Sequence, residues 1–289
     1  MSVSAVVFAL AFSVISDVCY DDSHRKDCVG DLYLPKQVLK STPMVLIIHG
    51  GSWTGLDRGA TKGIADYFAK DLGFAAFNIE YRLASVKNRW PACGNDCVAA
   101  ANFVLTNGFK SKYGFAYDKV WICGGSAGGH LALWTLVTLD KSKVAGAIAI
   151  SPIGNPDCDV CGNRAGQQAL LGSGMDYDSM DPRRLVTAGQ APLLITHATD
   201  DHVVPISSSR SFANAYSSVG NSVEFFEYPN DIEPNEAGHC IWRPSSLPHR
   251  LIDTLERKIA LFIRNIDSCQ DRRCWKDEET CPAKRRDEK

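Results

Sequence analysis

Lys119-Val120-Trp121-Ile122-Cys123-Gly124-Gly125-Ser126-Ala127-Gly128-Gly129-His130-Leu131-Ala132-Leu133-Trp134-Thr135-Leu136 passes from an apolar run, through a glycine cluster, into a helical pattern. It reads as strand, tight turn and helix, with one serine at the apex. A turn this sharp brings the residues flanking the serine against neighbouring backbone, which is the steric reason for glycine at 124 and 128. The Ser126 hydroxyl then stands clear of the sheet, beside a helix N-terminus that favours negative charge. That is the setting of a serine nucleophile, and it predicts an α/β fold.

Working outward, apolar runs at 44–48, 74–79, 119–123, 144–150, 193–196 and 223–227 alternate with helical patterns at 61–70, 97–107, 127–139, 207–218 and 247–263. Such alternation implies a mostly parallel central sheet with helices on both faces, and unbroken apolar runs suit strands buried on both sides. No repeat or low-complexity linker interrupts the pattern, so residues 17–268 are expected to form one domain. Two stretches depart from it. Residues 151–190 are rich in Gly, Asp and Pro and would form a lid, an insertion contacting substrate, or a plain surface excursion. Residues 269–289 form a charged tail with three cysteines, expected to be stapled by a disulfide; the final Arg286-Asp287-Glu288-Lys289 does not read as a retrieval signal.

The chain has 289 residues, 45% of them hydrophobic, and a net charge of -2 with both signs interspersed. It offers no electrostatic footprint for nucleic acid and no apolar stretch long enough to span a membrane. Residues 1–16 carry no charged side chain and precede a polar segment, which reads as a signal peptide cleaved after Ser16, although the basic leading region is missing. The rival reading is a buried N-terminal strand. Eleven cysteines, several closely spaced (Cys19/Cys28, Cys93/Cys97, Cys158/Cys161), predict disulfides in an oxidising compartment and hence secretion. Structural zinc is the weaker alternative, because no histidine pair joins the short cysteine pairs at ligand spacing. The odd count leaves one thiol over, and Cys123 in the apolar run is the candidate for a buried free cysteine. There is no N-x-Ser/Thr acceptor for glycosylation.

A serine hydroxyl needs a base, an acid to orient the base, and donors for the oxyanion. His239, in Asn235-Glu236-Ala237-Gly238-His239, follows the last strand pattern and precedes the last helix, on the side of the sheet where Ser126 emerges. His202 is its rival. The run Leu193-Leu194-Ile195-Thr196-His197-Ala198-Thr199-Asp200-Asp201 ends a strand on two carboxylates, either of which could orient the base or merely cap the following turn. His49-Gly50-Gly51-Ser52-Trp53 ends another strand with paired glycines, whose amides can approach an oxyanion together with the amide of Ala127. Trp53, Trp90 and Trp242 are aromatic candidates for a substrate wall, with core packing as the alternative.

Together these motifs resemble the esterase/lipase group of α/β-hydrolases related to hormone-sensitive lipase, most of all its feruloyl/acetylxylan esterase-like branch. His49 to Trp53 resembles the group's HGG-x-W motif. Tyr81-Arg82-Leu83-Ala84, Trp90-Pro91-Ala92 and Asp96 resemble its scaffold segment, with Arg82 and Asp96 a candidate pair, and Gly124 to Gly128 its GxSAG elbow. Asp181-Pro182 and the stretch from Pro192 to Pro205 resemble its next motif, which assigns the acid to Asp201, and Gly238-His239 its closing pair. The likeness runs from about Asp31 to Ile263. Two departures are Ala198, where the group has glycine, and extra sequence between Tyr228 and His239. The resemblance implies an α/β-hydrolase fold and a secreted carboxylic-ester hydrolase. Ser126, His239 and Asp201 would act as a triad, Gly51, Ser52 and Ala127 as the oxyanion hole, and Trp53 as a substrate contact. No cofactor or metal is expected, and the substrate would be a small or carbohydrate-linked ester. An arylformamidase, or a non-catalytic binding protein on the same scaffold, are the alternatives.

Overall fold

The computed structural model describes residues 12–157, 164–174, 176–229, 239 and 251–274, the last eight by backbone alone. Two units divide at Ile252/Asp253. The first holds an eight-stranded sheet: β1 Ser13–Cys19, β2 Val29–Leu34, β3 Met44–Ile48, β4 Ala75–Ile79, β5 Val120–Gly125, β6 Val144–Ile150, β7 Leu193–Ala198 and β8 Val223–Tyr228. Their order is β1-β2-β4-β3-β5-β6-β7-β8. The first two pairings are antiparallel and all the others parallel. All six strands expected from the apolar runs are present within one or two residues of their expected ends.

The helices of this unit are α1 Lys62–Lys70, α2 Ala92–Val104, α3 Asn107–Tyr113, α4 Ala127–Thr138, α5 Arg164–Leu171 and α6 Ile206–Ser218. From β3 the chain steps one way in the sheet through α1 to β4, then returns past β3 through α2 and α3 to β5 and continues outward through α4 and α6. Right-handed crossovers therefore put α1 on one face of the sheet and α2, α4 and α6 on the other. Burial agrees. Leu46, Phe77, Ile122 and Ala147 pack in one cluster with Ala100, Leu131 and Leu136, while the alternate residues Val45, Ile47, Ala76, Trp121 and Ile148 are also buried. Strand residues hidden on both faces are why the runs are continuously apolar.

The second unit contributes α7, Asp253–Cys274, with Leu255, Ile259, Phe262 and Ile263 forming an apolar stripe at helical spacing. It extends past residue 268, so the expected start of the tail falls inside a helix.

Three further expectations differ from the structure. First, strands β1 and β2 lie outside the apolar runs. The boundary expected at Ser16 lies within β1, an edge strand whose side chains are mostly exposed rather than buried. It bulges between Ile15 and Val18, where Asp17 takes a φ of 57° and its amide donates to Asp31 Oδ1 at 3.1 Å. Second, the cysteine pairs Cys19/Cys28 and Cys93/Cys97 are not bridged: all four are free thiols, as is the buried Cys123. Cys93 and Cys97 lie one turn apart on α2, both sunk in the core, and Cys19 Sγ turns to Asp22 Oδ1 instead. Third, the helix expected at 97–107 is split into α2 and α3, because Thr106 caps a new helix through its side chain, accepting from the amide of Phe109 at 3.2 Å. No helix among the described residues is long and apolar enough to cross a membrane.

Candidate active site

Parallel pairing brings the carboxyl ends of β3, β5, β6, β7 and β8 to one edge of the sheet, as the registers Ile48↔Gly124, Gly125↔Ile150, Ile150↔Thr196 and Ala198↔Tyr228 show. Gly51, Ser52 and Trp53 follow the end of β3, Ser126 and Ala127 that of β5 and Asp201 that of β7, and His239 is placed by its hydrogen bond to Asp201. Ser126, between β5 and α4, takes φ 57° and ψ -124°, a conformation that costs a non-glycine residue of the order of 1–3 kcal/mol and is held by its surroundings. Its amide donates to Ile150 O at 2.9 Å and its carbonyl accepts from His130 N at 3.0 Å. The glycines on either side are sterically required. A Cβ on Gly124 would lie 2.2 Å from Gly128 O, and one on Gly128 would lie 2.3 Å from Ile48 O and 2.5 Å from His49 O. Ser126 is partly exposed at the first turn of α4.

The β3 loop is fitted against this turn. A Cβ on Gly50 would meet Gly125 O at 2.9 Å and Ser126 Cβ at 3.2 Å. Gly51, Ser52 and Trp53 have φ values of 97°, 59° and 62°, so three successive residues are left-handed. The carbonyls of His49, Gly50, Gly51 and Trp53 are engaged. Tyr81 Oη donates to His49 O at 3.1 Å and Gly50 O at 3.2 Å, and the His49 ring, stacked on Tyr81, donates from Nδ1 to Gly50 O at 2.8 Å. Gly51 O accepts from Thr54 N and Gly55 N, both at 3.0 Å, and Trp53 O from Ala84 N at 2.7 Å. In a planar trans peptide the N–H opposes the C=O, so the amides of Gly51 and Ser52 face away from these partners. Tyr81, expected only as scaffold, is thus the residue that orients the loop.

Asp201 lies in the turn after β7 with its carboxylate buried. Oδ1 accepts from the amides of Val203 at 2.9 Å and Val204 at 2.8 Å. Oδ2 accepts from His239 Nδ1 at 2.6 Å, and His197 Nε2 lies 3.2 Å from the same oxygen. Burial alone would raise the acid, but the hydrogen bonds from His197 and His239, the charge of His239 and the Val204 amide outweigh it and hold Asp201 well below the usual carboxylate range. His239 Nε2 is buried without a hydrogen-bond partner. The rivals stand apart: Asp200 and His202 are exposed. His197 is a site residue that the motifs do not single out, and its place four residues before Asp201 is the signal in the sequence that points to it.

Trp53 is fully buried, and its Nε1–H donates to His130 Nδ1 at 3.3 Å. It is a core residue rather than a wall open to substrate, which corrects the expected substrate contact: its ring is fully buried edge-on to His130. Burial pushes His130 down to about 4, so it is neutral, accepting at Nδ1 and donating from Nε2 to Met180 O at 2.8 Å. Trp90 donates from Nε1 to Ser179 O at 2.7 Å and packs edge-on to Trp134. The described part of 151–190 is therefore anchored to the elbow helix through His130 and Trp90, with Leu170 and Met180 in the core. Together with Ser85, Val86 and Arg89, α5 borders an open cleft of about 600 Å³. Trp242 lies outside the described residues.

Arg82 and Asp96 pair as expected, Asp96 accepting from Arg82 Nη2 at 2.6 Å, from Nε at 2.9 Å and from the Arg82 amide at 2.9 Å. Among the described residues one cluster has metal-ligand chemistry, Asp21, His24 and Cys28, with ligand atoms within 4.8 Å of one another. Both His24 nitrogens are already engaged, by Asp21 Oδ2 at 3.0 Å and Arg82 Nη1 at 2.8 Å, so the cluster belongs to the Arg82–Asp96 network.

Residues 30–156 match the BD-FAE family. A probable carboxylic ester hydrolase, LipM, of Mycobacterium tuberculosis is 26% identical over 240 residues, covering 74% of this chain and 54% of that protein. The chain spans about half the length of the curated relatives it matches first. Among solved structures, a truncated carbohydrate esterase from gut microbiota superposes with a TM-score of 0.73 at 21% identity, covering 90% of this chain and 98% of that one. Esterase B from Lactobacillus rhamnosis, inhibited by a tributyrin phosphonate, superposes with a TM-score of 0.70 at 19% identity, covering 90% and 89%. At these identities the structural matches establish the fold.

Proposed function

We propose that this chain, which belongs to the esterase/lipase group of α/β-hydrolases, is a serine carboxylic-ester hydrolase working through an acyl-enzyme. Ser126 attacks the ester carbonyl while His239 Nε2 takes its proton. The alkoxide of the tetrahedral intermediate is held by the amides of Gly51, Ser52 and Ala127, beside the N-terminus of α4. His239 then protonates the leaving alcohol, and water, activated by the same imidazole, releases the acid. Asp201 holds His239 in the tautomer with Nδ1 protonated and stabilises the imidazolium.

The observation that carries this reading is the 2.6 Å bond from His239 Nδ1 to Asp201 Oδ2, made at the sheet edge where Ser126 stands in its strained turn against Gly50. The free Nε2 of His239 is the atom a serine proton requires. The likeness to a carbohydrate esterase favours an acyl group carried on a sugar or other small alcohol. Export is proposed on the uncharged apolar leader alone. The cysteines that are described are unbridged and lend that proposal nothing.

Turnover of p-nitrophenyl acetate by the wild type and by Ser126→Ala tests the assignment. The variant is expected to lose activity by several orders of magnitude and to stop reacting with a fluorophosphonate probe; a folded variant with full turnover refutes the triad. A panel of acetate, butyrate, octanoate and methyl ferulate esters, with N-formylkynurenine beside them, assigns the acyl group. Preference for the formamide would make the protein an arylformamidase.

A further inference from the structure

The Asp201 carboxylate serves two imidazoles, and the second is fully buried. His197 ends β7 and shows no exposed surface. Its Nδ1 lies 2.8 Å from Ser209 Oγ. That hydroxyl has one proton, and it donates to the carbonyl of the buried Pro152 at 2.9 Å. Ser209 therefore offers His197 a lone pair, which requires a proton on Nδ1. At the other nitrogen, Nε2 lies 2.9 Å from Val204 O and 3.2 Å from Asp201 Oδ2, both acceptors, which requires a proton there as well. The alternatives each leave a defect. A ring protonated only at Nε2 takes the Ser209 proton away from the Pro152 carbonyl. A ring protonated only at Nδ1 sets its lone pair against a carbonyl and a carboxylate. Unpaired buried polar atoms cost about 1–3 kcal/mol.

We propose that His197 is an imidazolium ion paired with Asp201, a positioning residue that fixes the carboxylate and whose charge sets the acid limb of the pH–rate profile. The inference rests on the reading of Ser126, His239 and Asp201 as the triad. Two cations cannot share one carboxylate oxygen without repulsion. With His197 charged, a proton on His239 would add a second cation to the same carboxylate oxygen, a repulsion that removing the His197 charge relieves. Among the described residues, three titratable groups neighbour His197: Asp201 in the turn after β7, His239, and Glu227. Glu227 is its register partner on β8, and that carboxylate is bound by Arg210 of α6 through Nε at 2.8 Å and Nη2 at 2.6 Å.

His197→Gln tests this, because the amide nitrogen keeps a donor near Asp201 and removes the charge. The acid limb of kcat/KM is expected to move up by about one pH unit, with KM changed less than about threefold and kcat above the shifted limb lowered by about tenfold or less. A uniform loss of rate at every pH, with the limb unmoved, overturns the proposal in favour of a purely structural role. Ring-nitrogen NMR of the wild type labelled with 15N-histidine requires no substitution and no turnover. It is expected to show one histidine with both nitrogens protonated at the pH where the enzyme is active, and its absence overturns the proposal. Should the wild type hydrolyse no ester while that signal is present, the functional reading fails and the ion pair stands.

Discussion

Replacing Gly128 with alanine tests how closely the elbow and the oxyanion loop are fitted to each other. The new Cβ would lie 2.3 Å from Ile48 O, 2.5 Å from His49 O and 2.7 Å from His49 C, whereas ordinary contact begins at 3.4 Å. All three are backbone atoms, so no rotamer change relieves the clash. The end of β3 and the start of α4 must separate by about 1 Å, and a misplacement of that size between catalytic groups costs about 100-fold in rate. Alanine's better helix propensity, worth about 1 kcal/mol, acts in the opposite sense. Overpacking at about 1–3 kcal/mol outweighs it. Hydrolysis of p-nitrophenyl acetate by Gly128→Ala is therefore expected to fall about 100-fold in kcat/KM, or about 2.7 kcal/mol, with a lowered melting temperature.

The control is Gly108→Ala, an exposed position in α3 where a Cβ meets nothing within 4 Å. It is expected to keep full activity and to melt at the same temperature or slightly higher. If Gly128→Ala kept a rate within threefold of wild type and melted with it, the rigid apposition of elbow and loop would be wrong.

Asp96→Ala removes the carboxylate that accepts from the Nε, Nη2 and amide of Arg82, leaving only His24 Nε2 beside a guanidinium that is 18% exposed; a loss of about 3–5 kcal/mol is expected in urea unfolding, with kcat/KM of the folded fraction within a few-fold of wild type. Trp53→Phe keeps the buried ring and deletes the N–H that bonds to His130; it is expected to cost about 1 kcal/mol and to leave the ratio of acetate to octanoate turnover unchanged, whereas a changed ratio would return Trp53 to the substrate wall. His130 titrates near 4 when folded and about 6.5 when unfolded. The unfolded chain alone takes up this proton between those values, so stability falls with pH across that window by about 3 kcal/mol. His130→Asn is expected to lack this slope when unfolding is compared at about pH 7 and about pH 4.5. Asp201, depressed in the fold, contributes stability that is full above the unfolded carboxylate value of about 3.9 and is lost as pH falls toward its own lower value. The stability gap between wild type and Asp201→Asn should accordingly narrow at about pH 3.

What could be read from the residues depended on how far each one's partners lie along the chain. Met44–Ile48 and Val144–Ile150 declared themselves because both faces of a central parallel strand are buried. Gly124 and Gly128 did so because their clashes are with the turn itself and the strand beside it. Ser13–Cys19 did not, since an exposed edge strand needs no apolar alternation and is held by pairing with β2. The cysteine spacings misled because closeness in sequence on α2 places two thiols along one helix face without turning them toward each other. Trp53 was legible as part of a motif, but its orientation was set by His130, 77 residues away. Choosing between Asp200 and Asp201 needed the turn itself, which buries one carboxylate and leaves its neighbour in water.

That turn also explains why the lengthened sequence between Tyr228 and His239 is compatible with an intact site. Asp201 is oriented by groups close to it in sequence: Oδ1 by the amides of Val203 and Val204, Oδ2 by His197 at the end of the preceding strand. His197 is held in turn by Ser209 and Val204. The carboxylate is therefore aimed before His239 reaches it, and the base loop has only to deliver one imidazole to an oxygen already in place. That charge-assisted hydrogen bond is 2.6 Å long. The aim of the acid is set by the few residues between His197 and Ser209.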